Sequence, residues 1–399
     1  MDLSMRSQKG LLMRSQIATF MHVLLIEPTY RTRYPPLGLL KIASHHRKKN
    51  DSIELIRGCK PPEKRPDRIY VTSLFTWTWK SVKESISYYK KLFPDVKVWL
   101  GGIYASLLPD HARKLGADHI HVGLKSNVES LMPAYDLVPE WDGSIIFSSR
   151  GCNRRCPWCA VWQIEGKINS CKKSIKNLIY PKHTRVILWD NNILQSPHWR
   201  QIFEELIGFG RKVDFNQGLD ARLITDEVAE RLSKMKLQCA RISYDYKGVR
   251  EQIRKAIQKI SYYGIRRRSI LVYVLYNFRD DPDDFYNRIK DVLNWGAVVY
   301  PMRYEPLDMW ERWKFVSPNW DTERLELVED FRRVYGYGGT FPPYRWLVDR
   351  FNKLNSFDDT FKLPVKGMHQ KRVNKPYHAK WQRESDWRIV KDKVLSKQW

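Results

Sequence analysis

No stretch of this chain approaches the roughly 18 to 20 apolar residues that a membrane-spanning helix needs. The first twenty residues, MDLSMRSQKGLLMRSQIATF, are mixed and polar, without the apolar core of a secretory signal. Several methionines precede Met21, and residues 1–20 read as a disordered leader. Cysteine is sparse. There are six in 399 residues, and three of them crowd one short loop, which is not the spacing of a disulfide framework. These absences point to a cytoplasmic protein in a reducing compartment, with no membrane partner. Solenoid repeats and low-complexity tracts are missing too. Acidic residues are in deficit: 44 Asp and Glu face 70 Lys and Arg, a formal net charge of +26. That excess attracts phosphate backbones and other polyanions, so nucleic acid is a candidate partner. The length suggests two or three domains, enough to bury sizeable cores.

What is present is regular from Met21 onward. HVLLIE (22–27), IELIR (53–57), RIYVTSLF (68–75) and VKVWLGG (96–102) are short apolar runs that read as buried strands, with DHIHVG (118–123) after them. LLKIASHHRKK (39–49), KSVKESISYYKKLF (80–93) and residues 109–115 read as the helices between. In the second helix Val82, Ile86, Tyr89 and Phe93 share one face, and Pro94 ends it. The alternation predicts an α/β fold that begins with a Rossmann-like (flavodoxin-like) parallel sheet domain over 21–132. PAYDLVPEWDG (133–143) reads as a linker.

A second series follows: SIIFSSRG (144–151), RVILWDNN (185–192), KVDFNQG (212–218), ARISYD (240–245), SILVYVLYN (269–277) and AVVYPMRYE (297–305). Helical segments lie between them; one begins TDEVAERL (225–232), with Thr225 as cap and acids in its first turn. Six β/α units in succession predict a partial TIM-type barrel over 144–309, with its site at the C-terminal strand ends. The polar groups Asp190, Asn191 and Asn192, then Asn216 and Gln217, then Asp245, all fall at those ends. Asp220 and Arg222 read as a local ion pair. Residues 310–399 form a basic, aromatic-rich C-terminal extension, as in KRVNKPYHAKWQRESDW (371–387). It reads either as a helical cap on the barrel or as a surface for stacking and neutralising nucleic acid.

The stretch SSRGCNRRCPWCAVW (148–162) follows the first strand of that series. Its cysteines, Cys152, Cys156 and Cys159, have the spacing C-x3-C-x2-C. Three readings are open. Structural zinc takes four tetrahedral ligands, so Cys171 or His183 would have to join. The thiols could be free of metal. Or they hold an iron–sulfur cluster with one iron left open, which the missing fourth partner favours.

CNRRCPWC resembles the signature of the radical S-adenosylmethionine (radical SAM) enzymes, C-x3-C-x-aromatic-C after the first strand of a β/α barrel. The resemblance implies that Cys152, Cys156 and Cys159 hold a [4Fe–4S] cluster whose open iron chelates SAM. The reduced cluster would cleave SAM to a 5′-deoxyadenosyl radical, drawing its electron from a flavodoxin or ferredoxin. Trp158 would pack near the adenine. Asp190, Asn191 and Asn192 stand where the family has a Gly-Gly-Glu-like motif that touches the SAM amino group. Asn216, Gln217 and Asp245 would reach its ribose or carboxylate.

The region before the barrel resembles the cobalamin-binding domain that precedes many such barrels. The resemblance rests on YPPLGLLKIAS (34–44), VTSLFTWTW (71–79) and GGIYAS (101–106). It implies cobalamin contacts from Pro36, Leu37, Gly38, Ser73, Gly101, Gly102 and Ser106. The family's Asp-x-His-x-x-Gly motif is missing, since EPTYRTRYPPLG (27–38) has no histidine, so cobalamin would bind without that lower ligand. Tyr30 or Arg33 would then shield its lower face. Methyl transfer is the reaction expected with cobalamin; modification of RNA is the expectation without it. A reading outside this class is a basic nucleic-acid-binding protein with a structural zinc loop.

Overall fold

The computed structural model describes residues 20–363. Residues 1–19 of the leader and the segment 371–387 lie outside the described residues, and so does any test of their expected roles.

The chain starts with a strand that is apolar on both sides. In β1 (His22–Glu27), Val23 and Leu25 face one way, against Leu39, Ala43 and Tyr70. Leu24 and Ile26 face the other way, against Val82, Ile86 and Tyr89. Side chains of a strand alternate, so a run buried on both faces needs a cover on each. Helix α1 (Leu37–Arg47) covers the first face and α2 (Trp79–Leu92) the second. With β2 (Ser52–Arg57), β3 (Arg68–Ser73), β4 (Lys97–Gly102) and β5 (His119–Ile120), β1 forms an all-parallel sheet. Its order, β2-β1-β3-β4-β5, is the flavodoxin-like one. Two short helices, α3 (Ile103–Leu107) and α4 (Pro109–Arg113), follow β4.

The stretch expected to be a linker is packed. Tyr135 is 1% exposed, its hydroxyl accepts from the Ile145 amide at 2.7 Å, and Ala134 and Val138 are buried with it. A turn-rich composition concealed one large side chain that ties 133–143 to the next strand.

The second unit is built from β6 (Ser144–Ile146), the one-turn helix α5 (Val161–Ile164), β7 (Arg185–Leu188), α6 (Trp199–Phe209), β8 (Lys212–Phe215), α7 (Asp226–Ser233), β9 (Lys236–Leu237), β10 (Ala240–Ser243), α8 (Arg250–Tyr262), β11 (Ile270–Tyr276), α9 (Pro282–Asn294) and β12 (Val298–Arg303). Every ladder in it is parallel. Two sheets, β6-β7-β8-β9 and β10-β11-β12, are joined because β9 and β10 are halves of one interrupted strand. The Gln238 amide still bonds the Val213 carbonyl at 2.8 Å, and the Leu219 amide bonds the Arg241 carbonyl at 2.8 Å. The result is an open arc of six strand positions. The break at Gln238 and Cys239 is the one departure from the expected strand order, and it lets 236–237 pair inward while 240–243 pairs onward.

The remaining helices, α10 (Thr322–Val334), α11 (Arg345–Lys353) and α12 (Phe357–Phe361), join the arc's outer core through Phe331, Phe341, Phe351, Phe357 and Phe361. Val299 of β12 exchanges both backbone hydrogen bonds with Phe341. Residues 310–363 therefore build a helical cap with an aromatic core. Among the described residues no helix is long and apolar enough to cross a membrane.

The two units meet on the inner face of the arc. Ile145 and Ile187, one residue out of phase with the outer core, pack with Leu37, Tyr34, Trp141 and Trp189. Tyr34 meets Trp189 edge-on at 5.1 Å and Trp141 at 5.5 Å.

One glycine fixes the end of the first sheet. Gly102 has φ of 114°, and a Cβ there would lie 2.0 Å from the Ser73 carbonyl oxygen. Gly102→Ala is expected to cost about 2 kcal/mol or more, since strain and a backbone clash act together. Urea unfolding of the variant checks this, and a wild-type midpoint would show that β3 and β4 separate easily.

Candidate functional site

All ladders of the arc are parallel, so the segments following β6, β7, β8 and β10 emerge on one rim. The cysteine loop leaves that rim after β6 and returns to it. Arg150 and Asn169 pair as an antiparallel bridge at its base, and the Cys152 amide bonds the Gly166 carbonyl at 3.1 Å. Gly151 makes this closure possible: with φ of 73°, a Cβ there would stand 2.1 Å from the Lys167 carbonyl oxygen. Glu165 tightens the same turn, accepting from the Gly151 amide and from Asn191 Nδ2, each at 2.8 Å, while pairing with Arg150 at 3.3 Å.

Three N–H groups point at the sulfurs. The Arg154 amide donates to Cys152 Sγ at 3.4 Å, the Val161 amide to Cys159 Sγ at 3.5 Å, and Asn192 Nδ2 to Cys152 Sγ at 3.7 Å. Donors to sulfur favour thiolate. Burial acts the other way: it pushes the Cys156 thiol up to about 11, with the neighbouring Cys159 and Asp245 adding to the rise. Cys159 is likewise raised, by burial first and then by Cys152 and Asp245. Three ionised sulfurs at this place therefore require a positive centre among them.

Of the residues expected to touch SAM, only Gln217 is exposed. Asp190 is 3% exposed and takes four hydrogen bonds, from the amides and the hydroxyls of Ser148 and Ser149, at 2.6 to 3.0 Å. Both of its oxygens are filled from within the chain. Asn191 is committed to Glu165 through Nδ2. Asn192 donates to Cys152 and to Asp220, yet its buried Oδ1 has no partner among the described residues. Asn216 donates to the Tyr34 hydroxyl at 2.6 Å, and Gln217, exposed, rests on Asn216. Asp245 is pushed up to about 6 by burial, against the pull of Arg288 and Arg222. Trp158 stands edge-on to Phe278 at 5.5 Å and near Tyr246 at 6.3 Å.

The local Asp220–Arg222 pair is real, at 2.6 Å, but it is part of a larger node. Asp220 also pairs with Arg154 of the cysteine loop at 3.1 Å and accepts from Asn192 at 3.2 Å. Burial raises this carboxyl, and its partners outweigh that and hold it below the ordinary range. Sequence reasoning missed Arg154, Glu165, Ser148 and Ser149. One signal was available: Glu165 is the only acid between 152 and 176. The serines gave none.

The candidate fourth ligands of a zinc site lie elsewhere in function. His183 precedes β7 at its other end, bonds Ser144 at 3.1 Å and faces the Tyr135 ring at 4.5 Å. The Cys171 sulfur faces the Asn169 carbonyl. Among the described residues no three His, Cys, Asp or Glu side chains converge as a single metal ion requires. A cubane cluster separates its ligating sulfurs more widely than one ion does. The donor set fits it: three thiols in one loop, amides aimed at two of them, and the Arg222 guanidinium close enough to Cys156 to favour its thiolate.

The positions expected to hold cobalamin are spent on contacts within the chain. Ser73 donates to the Gly101 carbonyl at 2.9 Å and accepts from the Ala105 amide at 3.2 Å. Ser106 donates to the Gly102 carbonyl at 2.8 Å and accepts from the Gly123 amide at 3.0 Å. Gly101 adjoins His121, and Gly102 adjoins Ser73. Leu37 packs on Ile145 and Ile187, with Pro36 buried before it and Gly38 exposed after it. Hydrogen bonds and close backbone contacts within the chain thus engage Ser73, Gly102 and Ser106.

Fold and site together define an α/β protein of parallel sheets with a three-cysteine loop at the strand-end rim. No family model and no curated protein matches the chain. A solved structure that it resembles is the coproporphyrinogen III oxidase HemN from Escherichia coli, described as a radical SAM enzyme. The two share 13% identity at a TM-score of 0.36, over 53% of this chain and 58% of that one, so the match spans less than two thirds of that enzyme.

Asp190→Ala strands four buried donors. We expect a stability loss of about 3 kcal/mol, with Asp190→Asn between it and the wild type. The thiols of 152, 156 and 159 should also react faster with a thiol reagent, because the loop start is released. Urea unfolding and thiol titration measure the two effects; wild-type values for Asp190→Ala would remove it as the loop's anchor.

Proposed function

We propose that the chain is a radical SAM enzyme that works without cobalamin. The observation that carries this reading is the loop itself: C-x3-C-x2-C after the first strand of a parallel arc, with N–H groups directed at its sulfurs. Cys152, Cys156 and Cys159 would hold a [4Fe–4S] cluster, leaving one iron for SAM. When bound, the cluster supplies the electron that cleaves the SAM sulfonium reductively.

The protein's own side chains have the tasks of holding and orienting. Asp190, through Ser148 and Ser149, sets where the loop begins. Asp220 draws Arg154 and Asn192 together and so fixes the loop against β7 and β8. Asn192 Oδ1 is the acceptor left for the SAM ammonium. In this reading Asp245 and Gln217 would reach its ribose or carboxylate, and Trp158 would pack near its adenine. The internal contacts of Ser73, Gly102 and Ser106 favour the reading without cobalamin.

The test is anaerobic reconstitution with iron and sulfide. The wild type should show the broad visible absorption of a [4Fe–4S] cluster and release 5′-deoxyadenosine from SAM under a strong reductant. Replacing Cys152, Cys156 and Cys159 by Ala should abolish both. Asn192→Ala should weaken SAM binding about tenfold and keep the iron. Tetrahedral zinc on four protein ligands in anaerobically prepared protein would sink the proposal, and retained cobalt would restore cobalamin to it.

A further inference from the structure

The aromatic rings at the cysteine loop belong to a longer seam. From Trp158 it passes to Phe278, then to Tyr304 at 4.7 Å and Phe315 at 5.6 Å. Next comes Trp313, 42% exposed, with Arg303 and Arg312 over its ring at 5.1 and 4.5 Å. Arg312 also lies over Trp77 of the first unit, at 5.6 Å. Trp77 is stacked on exposed Phe75, centroids 4.7 Å apart and planes 7° from parallel. Beside this crossing Trp310, 47% exposed, sits 4.2 Å from His111 and 6.5 Å from Trp79. The seam therefore runs from the cysteine rim to the first unit, bridged by the Arg312 guanidinium and the Trp310 ring.

Exposed rings on this scale mark an interaction surface. The cations along it narrow the partner. Lys80, Arg155, Arg279, Arg312 and Lys314 are exposed beside the seam, against the exposed acids Asp308 and Glu311 on the same turn as Trp310. An apolar partner would leave the cations without use, and an acidic peptide would leave the rings without use. A duplex hides its base faces. A single-stranded nucleic acid offers flat π faces and phosphates together, which is the pairing of stacking platform and positive track that such strands take. The net charge of +26 favours the same partner.

We propose that this seam binds a single-stranded nucleic acid, with bases stacked on Trp77 and Trp313 and phosphates on Arg312 and Lys314. The strand is thereby led along the rim toward Trp158. That it is the substrate of the cysteine loop rests on the radical reading above; that it binds does not.

The experiment uses the full chain, without added cofactor, and a fluorescein-labelled oligouridylate read by anisotropy. Trp77→Ala and Trp313→Ala should each weaken binding about tenfold. Arg312→Gln and Lys314→Gln should each flatten the dependence of log affinity on log salt by roughly 0.7. Trp346→Ala, an exposed tryptophan on α11 away from the seam, should change nothing. Circular dichroism melting confirms that each variant is folded. Unchanged binding in the folded Trp77→Ala, Trp313→Ala double variant overturns the proposal, and so does a double-stranded oligomer bound as tightly as the single strand. Because cluster and SAM are absent from this assay, its failure leaves the radical reading standing, and failure of the cysteine variants to alter SAM cleavage leaves this one standing.

Discussion

One buried carboxylate holds the rim together. Asp190 follows β7, yet all four of its hydrogen bonds reach back to Ser148 and Ser149, where the chain leaves β6. Burial raises this carboxyl, and the four donors oppose that rise. A group so enclosed is tolerable only because its acceptors are filled, and removing them would leave the acid or its donors unmet. The loop that carries Cys152 therefore starts from a fixed point. Asp220 then fastens the loop's Arg154 to the segment after β8, and Glu165 closes it on Gly151. Three acids, each from a different part of the loop's surroundings, hold a basic segment in place.

The inner face of the arc explains why the two units act as one. Ile145 and Ile187 alternate with Ile146, Val186 and Leu188, which serve the outer helices. Their inward partners come from the first unit, Tyr34 and Leu37. Tyr34 also accepts from Asn216 at the end of β8, so the connection reaches the rim. Rings and guanidiniums make a second contact between the units at Trp77, Arg312 and Trp310. The strand-end rim is thereby bordered by both units.

Much of the fold was legible. The β-branched runs and the 3.6-residue pattern of Val82, Ile86 and Tyr89 located the starts of the expected strands and helices within a residue or two, because burial on one or both faces writes its period into the chain. The interruption at Gln238 was not legible, since pairing partners 24 and 30 residues away in sequence decide it. The linker was misjudged for a similar reason. Proline, glycine and acids mark 133–143 as turns, but they do not say that Tyr135 reaches under β6.

The cysteine spacing and the strand-end position of Asp190, Asn192 and Asp245 were fixed by sequence order, because a parallel β/α series sends every such segment to one rim. Which of them is saturated within the chain and which keeps an unpaired atom was a matter for tertiary structure. Asp190 and Asn192 are two residues apart and equally polar, yet one is saturated by serines 41 and 42 positions earlier while the other keeps an acceptor open. Gly102 and Ser73 read in sequence as two separate cobalamin contacts; the structure sets them against each other. Hydrogen bonds and close contacts are settled between residues distant in the chain, and sequence pattern carries periods, not pairings.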